Sequence, residues 1–131
     1  MKILFDTNVL ISAFLNTGKC YEILYNEEGL HEFYYTEYIL DEFRRKLKTK
    51  LKFSDDTIKM DIKVIKRYFL KCKSSAHITN VCRDPKDNQT LADAELNGID
   101  IILTGDKDLL ELGNYNAIKI VSPSDFWNLK D

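Results

Sequence analysis

The chain has 131 residues, of which 44% are hydrophobic and 31% are charged, a balance typical of a folded globular protein and not of a disordered one. We expect a single domain over residues 1–131, because this length suits one hydrophobic core. The sequence contains no CxxC pair, no apolar signal stretch and no run of the roughly 20 apolar residues that a membrane-spanning helix needs. We therefore predict a cytoplasmic protein with no membrane contact, no disulfide framework and no zinc site.

The first predicted strand ends on a group of polar side chains. Ile3 to Phe5 is a short apolar run typical of a buried strand, and Asp6, Thr7 and Asn8 follow it directly. Their side-chain oxygens can begin a helix. The inner face of that helix would contain Val9, Leu10, Ala13 and Phe14. A carboxylate at this junction lies at the carboxyl edge of a parallel sheet, where open α/β proteins bind their ligands.

The next elements alternate between helix and strand. We predict a helix over Gly18–Glu28 that ends at Gly29, and then a short strand over Glu32–Tyr35. Thr36 can cap a third helix. The buried stripe of this helix would consist of Ile39, Leu40, Phe43, Leu47 and Leu51. Glu42 follows the first of these by three residues, so its carboxylate should lie at the inner edge of the stripe.

A strongly basic stretch begins inside this helix and continues through the next one. Ser54 can cap another helix, whose acidic first turn suits the positive end of the helix dipole. The buried residues of that helix would be Ile58, Ile62, Ile65, Phe69 and Cys72. From Phe43 to Lys73 there are 12 basic and 3 acidic residues, a net charge of +9, whereas the remaining residues carry −11. This asymmetry suits a protein that holds cations next to a bound polyanion, but composition alone favours two helices with solvated lysine faces.

The clearest buried strand lies in the last third of the chain. Ala76–Val81 is predicted to be a short strand or an extended link, and a charged turn over residues 83–88 leads into a helix that ends at Asn97-Gly98. Ile99–Leu103 is the buried strand, and the polar run Thr104-Gly105-Asp106-Lys107-Asp108 follows it. The remaining elements are a helical turn over Leu109–Leu112, a strand over Ala117–Val121 and a terminal turn from Ser122.

The alternation of strands and helices predicts an α/β fold, a three-layer α/β/α sandwich with a mostly parallel central sheet. Asp6 and Asp106 each follow a strand directly and should lie at the same sheet edge. Asp87 precedes Leu91 by one helical turn, which places it on the inward face of its helix. With Glu42, four carboxylates could face one crevice. They would repel one another unless cations neutralised them, and ligand sets made only of oxygen favour Mg²⁺ or Mn²⁺.

Each of these carboxylates also has a simpler explanation. Asp6 could only cap its helix, and Glu42 could form a surface ion pair with Lys46, four residues on. Asp84 and Asp87 could cap the next helix. Taken singly, these explanations are the better ones. Four independent coincidences at one sheet edge are far less plausible, so the joint pattern favours a metal site.

Four short motifs also occur in a specific order along nearly the whole chain. They are Asp6-Thr7-Asn8-Val9-Leu10, Glu42-Phe43, Arg83-Asp84-Pro85-Lys86-Asp87-Asn88 and Thr104-Gly105-Asp106-Lys107-Asp108-Leu109. In order and spacing they resemble the PIN domain, in the prokaryotic branch of toxins from toxin–antitoxin pairs (VapC-like). The resemblance implies a metal-dependent ribonuclease with the acidic quartet Asp6, Glu42, Asp87 and Asp106. It also implies auxiliary roles for Asp84, Asp108, Asn8 and Thr104, the last two as hydrogen-bonding partners. Between Asp84 and Asp87 as the direct ligand, the helical phase favours Asp87.

These features predict an endoribonuclease that uses Mg²⁺ or Mn²⁺ to hydrolyse RNA phosphodiester bonds. The basic surface would attract the RNA backbone. Its candidate contacts are Arg44, Arg45, Lys46 and Lys48. RNA as the substrate, a cognate antitoxin and homodimerisation are implied by the resemblance alone. One alternative is a metal-dependent phosphatase, which would normally need a second acid where this chain has Asn8. The other is a catalytically inactive module that binds nucleic acid or protein.

Overall fold

A six-stranded sheet organises the residues that the structure describes. The structure is a computed structural model, and it describes residues 1–15, 18–26, 29–78 and 80–129. The strands are β1 (Lys2–Phe5), β2 (Glu32–Tyr35), β3 (Leu70–Lys71), β4 (Ile101–Leu103), β5 (Asn114–Tyr115) and β6 (Ile118–Val121). The helices are α1 (Thr7–Phe14), α2 (Gly18–Asn26), α3 (Glu37–Thr49), α4 (Asp55–Tyr68), α5 (Pro85–Leu96), α6 (Lys107–Leu112) and α7 (Pro123–Leu129). None of these helices is long and apolar enough to cross a membrane.

Strand β1 lies in the middle of the sheet, between β2 and β4. The strand order is β3-β2-β1-β4-β6-β5, and every neighbouring pair is parallel except β5 with β6. Ile3, Leu4 and Phe5 each have an exposed fraction of 0%. Because successive side chains of a strand point to opposite faces, both faces of β1 are covered, which explains its continuous apolar run. The predicted α/β fold with a mostly parallel sheet is confirmed.

The strand register brings two polar segments to the same sheet edge. Phe5 of β1 pairs with Leu103 of β4, and the amide of Asp6 donates to the carbonyl of Leu103 at 2.9 Å. The residues that follow β1 and β4 therefore lie side by side. Helix α3 follows β2 directly, and α5 leads into β4. The N-terminal ends of both helices therefore lie near this edge and can contribute side chains to it.

Two predicted helix starts are confirmed by their caps. The Thr36 hydroxyl accepts the Ile39 amide of α3 at 3.1 Å, and the Ser54 hydroxyl accepts the Thr57 amide of α4 at 3.2 Å. Caps of this kind stabilise a helix by about 1 kcal/mol each. Helix α5 stops as predicted, because Gly98 has a φ of +65°, a left-handed conformation that glycine adopts without strain.

The end of α4 differs from the prediction. The helix stops at Tyr68, Phe69 is extended, and Leu70–Lys71 forms β3 by pairing with the end of β2. Phe69 and Cys72 are buried, with exposed fractions of 4% and 2%, but they belong to this extended segment and not to the helix. Their spacing fits a helical stripe, so the sequence pattern did not separate the two structures.

The described residues of Ala76–Val81 form no strand. Polar side chains of α5 and its C-terminal cap bind the backbone of this region instead. Asn97 binds Lys73, Asp93 binds Ser75, and Asn88 binds Val81 and Cys82, through hydrogen bonds of 2.7–3.0 Å. Backbone groups that side chains bind in this way are not available to a neighbouring strand, which explains why the described residues here form none.

Several other boundaries also differ from the prediction. Leu51 is 39% exposed and not buried, because α3 ends at Thr49. Helix α2 is described as far as Asn26, and the predicted end at Glu28 lies outside the described residues. Strand β5 was not predicted, β4 is shorter than predicted, and the terminal turn is the helix α7.

Candidate metal centre

A single threonine hydroxyl joins the ends of β1 and β4. Thr104 is fully buried, and its Oγ1 donates to Oδ2 of Asp6 at 2.7 Å and accepts the amide of Asp106 at 3.0 Å. Oδ1 of Asp6 accepts the amide of Thr7 at 2.9 Å, and Oδ1 of Asp106 accepts the amide of Asp108 at 2.8 Å. Both carboxylates therefore cap a helix while they remain at the sheet edge. The capping role and a role in a metal site are compatible.

Burial and charge act together on Asp6. Burial raises the pKa of its carboxyl above the ordinary value, although hydrogen bonds from Thr104 and Thr7 oppose the shift. The neighbouring carboxylates of Glu42 and Asp106 raise this pKa further. The ends of β1 and β4 and the inner face of α3 thus share one negative electrostatic environment.

Glu42 projects from the second turn of α3 and is only 8% exposed. Its Oε2 accepts the Tyr38 hydroxyl at 3.1 Å, and the Nζ atoms of Lys46 and Lys86 lie 4.0 Å and 3.8 Å from its carboxylate oxygens. Burial acts to raise the pKa of Glu42, but the Thr7 hydroxyl, the Lys46 ammonium and the Tyr38 hydroxyl lower it below the ordinary value. Glu42 is therefore held in its charged form.

Asp87 lies in the first turn of α5 and is 6% exposed. Burial, followed by the carboxylates of Asp106, Asp84 and Asp6, raises the pKa of Asp87 to about 6, and Lys86 only partly offsets this. Asp84 is the N-cap of the same helix, where its Oδ1 accepts the amide of Lys86 at 3.1 Å. Of the two acids that the sequence left open, the geometry favours Asp87 as the inward-facing one.

One crevice at the carboxyl edge of the sheet collects these side chains. Its lining residues are Asp6, Thr7, Asn8, Tyr38, Glu42, Lys46, Lys86, Asp87, Thr90 and Asp106. All four members of the predicted acidic quartet therefore face the same space. Carboxylate oxygens of Asp87, Asp106 and Asp108 also lie within 4.8 Å of one another, a spacing that a single cation can bridge.

A second, larger groove of about 370 Å³ is mostly apolar. It is lined by Leu24, Tyr25, Gly29, His31, Phe33, Val64, Tyr68 and Phe69. No carboxylate is among these described lining residues. The carboxylates that could bind a cation line the smaller, polar crevice.

Comparison with known proteins identifies the family to which this chain belongs. Residues 2–108 match the family model of the PIN domain. The chain belongs to the PIN domain family. Proteins of this family are nucleases, and they generally use divalent metal ions.

Proteins similar to this PIN domain include one from Methanocaldococcus jannaschii and one from Rickettsia felis. The uncharacterised protein MJ1680 of Methanocaldococcus jannaschii is 30% identical over an alignment of 146 residues, which covers 96% of this chain and 89% of that protein. A chain in the crystal structure of VapBC2 from Rickettsia felis, bound to a DNA fragment from their promoter, has a TM-score of 0.66. Its identity is 11%, and the match covers 93% of this chain and 98% of that chain, so it shows a shared fold.

The four predicted auxiliary residues take different positions in this PIN domain. Thr104 binds Asp6 and Asp106 directly, as described above. Asn8 is exposed, and its Oδ1 accepts the ammonium of Lys46 at 3.1 Å, so its amide contacts a lysine and not a carboxylate. The two carboxylate oxygens of Asp108 each accept Nη2 of Arg83 at 2.9 Å. Asp84 caps α5.

The four predicted RNA contacts lie at different distances from the crevice. Lys46 lines it and is 19% exposed, and Nη2 of Arg45 lies 3.5 Å from Oε2 of Glu42. Arg44 pairs with Asp41 at 3.1 Å and Lys48 pairs with Asp55 at 3.3 Å, and neither lines the crevice. The basic face of α3 therefore begins inside the site and continues outward.

Sequence reasoning did not assign a site role to four residues that line the crevice, namely Thr7, Tyr38, Lys86 and Thr90. Lys86 precedes Asp87, and Thr7 lies inside the first motif, so both were quoted only as parts of motifs. Tyr38 precedes Glu42 by four residues, and this spacing was the available signal for their hydrogen bond. None of these contacts is specific enough in sequence to distinguish a site from a solvated helix face.

Proposed function

We propose that this PIN domain is an endoribonuclease that hydrolyses RNA phosphodiester bonds with Mg²⁺ or Mn²⁺, as the toxin of a toxin–antitoxin pair. The observation that carries the proposal is the crevice of four carboxylates, in which the pKa of Asp87 is raised to about 6. Like charges brought together in a partly buried site destabilise the fold unless a ligand neutralises them. A cluster of this kind in a cleft is a strong candidate for a functional site.

The donor set fits a hard divalent cation. Asp6, Glu42, Asp87 and Asp106 offer only oxygen ligands, and no histidine or cysteine appears among the lining residues of the described crevice. These four residues would hold one or two ions, with Asp108 near enough to assist. When bound, the ions would supply Lewis acidity and offset the negative charge that develops at the reacting phosphate.

The residues around the carboxylates keep them oriented. The Thr104 hydroxyl holds Asp6, the Tyr38 hydroxyl holds Glu42, and the amide of Asp108 holds Asp106. Because these hydrogen bonds form when the chain folds, the carboxylates need little further ordering when ligands arrive. This preorganisation supports a catalytic role over a passive acidic surface.

The positive charges beside the crevice support a polyanionic substrate. Lys46 and Lys86 line the crevice, and Arg45 lies next to Glu42. Phosphates can therefore approach a site that is otherwise acidic, and α3 continues this attraction outward through Arg44 and Lys48. The family resemblance supports RNA as the substrate, homodimerisation and a cytoplasmic location. The structural similarity to VapBC2 supports an antitoxin protein as the partner.

Incubation of the purified protein with labelled single-stranded RNA tests this proposal. We expect cleavage with Mg²⁺ or Mn²⁺, none with EDTA, and at least a hundredfold loss in Asp6→Asn. Asp41→Asn is the matched control, because Asp41 is an exposed carboxylate of α3 that does not line the crevice. A single-stranded DNA of the same sequence tests the preference for RNA.

The outcomes separate the competing functions. Metal-dependent cleavage that Asp6→Asn removes and Asp41→Asn retains supports the nuclease. RNA binding without cleavage under any metal condition would identify a catalytically inactive binding module. Cleavage that is equal in EDTA and in Mn²⁺ would contradict the assigned role of the four carboxylates.

A further inference from the structure

We propose that Lys86 is a phosphate-binding residue, held between Glu42 and Asp84 until a phosphodiester enters the crevice. The inference rests on the proposed nuclease function and deepens it, because the predicted contacts to the RNA backbone all lie on α3. Lys86 lies on α5, with its Nζ 3.8 Å from Oε2 of Glu42, and would give the crevice a point of contact for the substrate on a second helix.

The contacts of Lys86 are ionic and leave its donors available. Its Nζ lies 3.8 Å from Oε2 of Glu42 and 3.7 Å from Oδ2 of Asp84. Both distances exceed the 2.7–3.2 Å range typical of an N–H···O hydrogen bond. An ammonium group has three N–H donors, and neither contact uses one. The group can therefore donate to a further oxygen while it remains near both carboxylates.

The exposure of Lys86 places its ammonium at the entrance of the crevice. The side chain is 42% exposed, whereas that of Glu42 is 8% exposed. One side of the ammonium therefore faces the buried carboxylate of Glu42, and the other faces solvent. A phosphate that approached from solvent would meet this positive charge before it reached the buried Glu42, which would otherwise repel it.

The second lysine of the crevice is held more firmly. Nζ of Lys46 donates a hydrogen bond of 3.1 Å to Oδ1 of Asn8, and its side chain is only 19% exposed. Lys86 has looser contacts and greater exposure, so it is the ammonium that can turn toward a ligand. Lys46 thus keeps its positive charge in one place inside the crevice, where it still attracts the RNA backbone, and Lys86 is the lysine that turns to bind the incoming phosphate.

The position of Lys86 on its helix explains how the contact would change. Lys86 lies in the first turn of α5, where the helix dipole disfavours a cation. Attraction by Glu42 and Asp84 therefore holds it there. If a divalent cation shared the charge of Glu42, this attraction would weaken. The ammonium would then be more available to a phosphate oxygen, and a cation nearby would favour the phosphate further.

The first test measures Mn²⁺ affinity by isothermal titration calorimetry without RNA. We expect Lys86→Met to bind Mn²⁺ about threefold more tightly than the parent, because it removes a competing positive charge next to two carboxylates. Lys119→Met is the control, since Lys119 is exposed and pairs with Ile101 at the opposite end of the strands. Its Mn²⁺ affinity should equal that of the parent.

The second test measures the affinity for labelled single-stranded RNA by fluorescence anisotropy. Asp106→Asn is present in every protein to prevent cleavage. We expect Lys86→Met to bind RNA about tenfold more weakly, with the slope of log affinity against log salt reduced by about one. Lys86→Arg should stay within about twofold, because it keeps the charge. Lys119→Met should leave both quantities unchanged.

An unchanged RNA affinity and salt slope in folded Lys86→Met would overturn the proposal, and so would an equal loss in Lys119→Met. Thermal denaturation verifies folding, and Lys86→Gln takes the place of Lys86→Met if that variant is unfolded. If the parent does not cleave RNA but Lys86→Met lowers both the RNA affinity and the salt slope, the nuclease function is wrong and the phosphate contact is correct. If the parent cleaves RNA and Lys86→Met binds it normally, only the phosphate contact is wrong.

Discussion

Replacement of Asp87 by Asn is expected to stabilise the protein when no divalent cation is present. The pKa of Asp87 rises from 3.8 to about 6 in the folded protein, which corresponds to at most about 3 kcal/mol of unfavourable free energy for the ionised form. The surrounding carboxylates of Asp84 and Asp106 are partly open to solvent, which screens their repulsion of Asp87. We therefore expect a gain in the free energy of unfolding of about 1–2 kcal/mol.

The gain should depend on pH in a specific direction. Because the folded-state pKa of Asp87 is higher than the unfolded value, ionisation destabilises the fold. The penalty is absent below pH 3.8, grows as the pH rises toward about 6, and is constant above that. Asp87→Asn should therefore match the parent near pH 4 and exceed it at neutral pH.

Thermal denaturation in EDTA at pH 7.5 and at pH 4 measures this difference. For a chain of 131 residues, about 1–2 kcal/mol corresponds to a rise in Tm of about 4–7 °C. Asp93→Asn is the matched control on the same helix, because Asp93 is a buried carboxylate that accepts the Ser75 amide at 2.7 Å and the Gln89 side chain at 2.8 Å. That variant should not raise Tm. A lower Tm for Asp87→Asn at pH 7.5 would refute the repulsion argument and make Asp87 a structural residue.

Three further predictions follow from the same contacts. Thr104→Val should lower the free energy of unfolding in urea by about 2–3 kcal/mol, because it leaves a carboxylate oxygen of Asp6 and the amide of Asp106 without their partner, whereas Thr104→Ser should cost much less. Mg²⁺ at ten times its Kd should stabilise the parent by about 1.4 kcal/mol in the same urea titration, and a similar gain in Asp106→Asn would contradict the ligand assignment. Arg83→Gln should leave Tm unchanged within error, since the Arg83 side chain is 86% exposed and its pair with Asp108 is screened by solvent.

Sequence patterns predicted the elements that are stabilised by residues close to them in the sequence. The apolar run of β1, the Thr36 cap of α3 and the Asn97-Gly98 end of α5 each carry their own signal, and each was located within a residue or two. The end of α4 carried no such signal in the sequence, because Leu70–Lys71 becomes a strand only by pairing with β2. The described residues of Ala76–Val81 form no strand because side chains of α5 and its cap bind the backbone at Lys73, Ser75, Val81 and Cys82, which is a long-range effect.

The same distinction applies to the candidate site. A parallel sheet brings the ends of its strands to one edge, so the proximity of Asp6 and Asp106 followed from their positions after β1 and β4. The position of Lys86 between Glu42 and Asp84 joins two helices that are distant in sequence, and no spacing rule predicts it. The raised pKa of Asp87 likewise depends on three carboxylates from different elements.

Both outer strands of the sheet are very short. Strand β3 at one margin and β5 at the other each contain two residues, and the ammonium of Lys71 in β3 is paired with Glu37 at 2.6 Å. Short outer strands, and a charged one in the case of β3, discourage the addition of a strand from another molecule. Another chain that binds this protein is therefore expected to contact its helices and loops, and not to add a strand to its sheet.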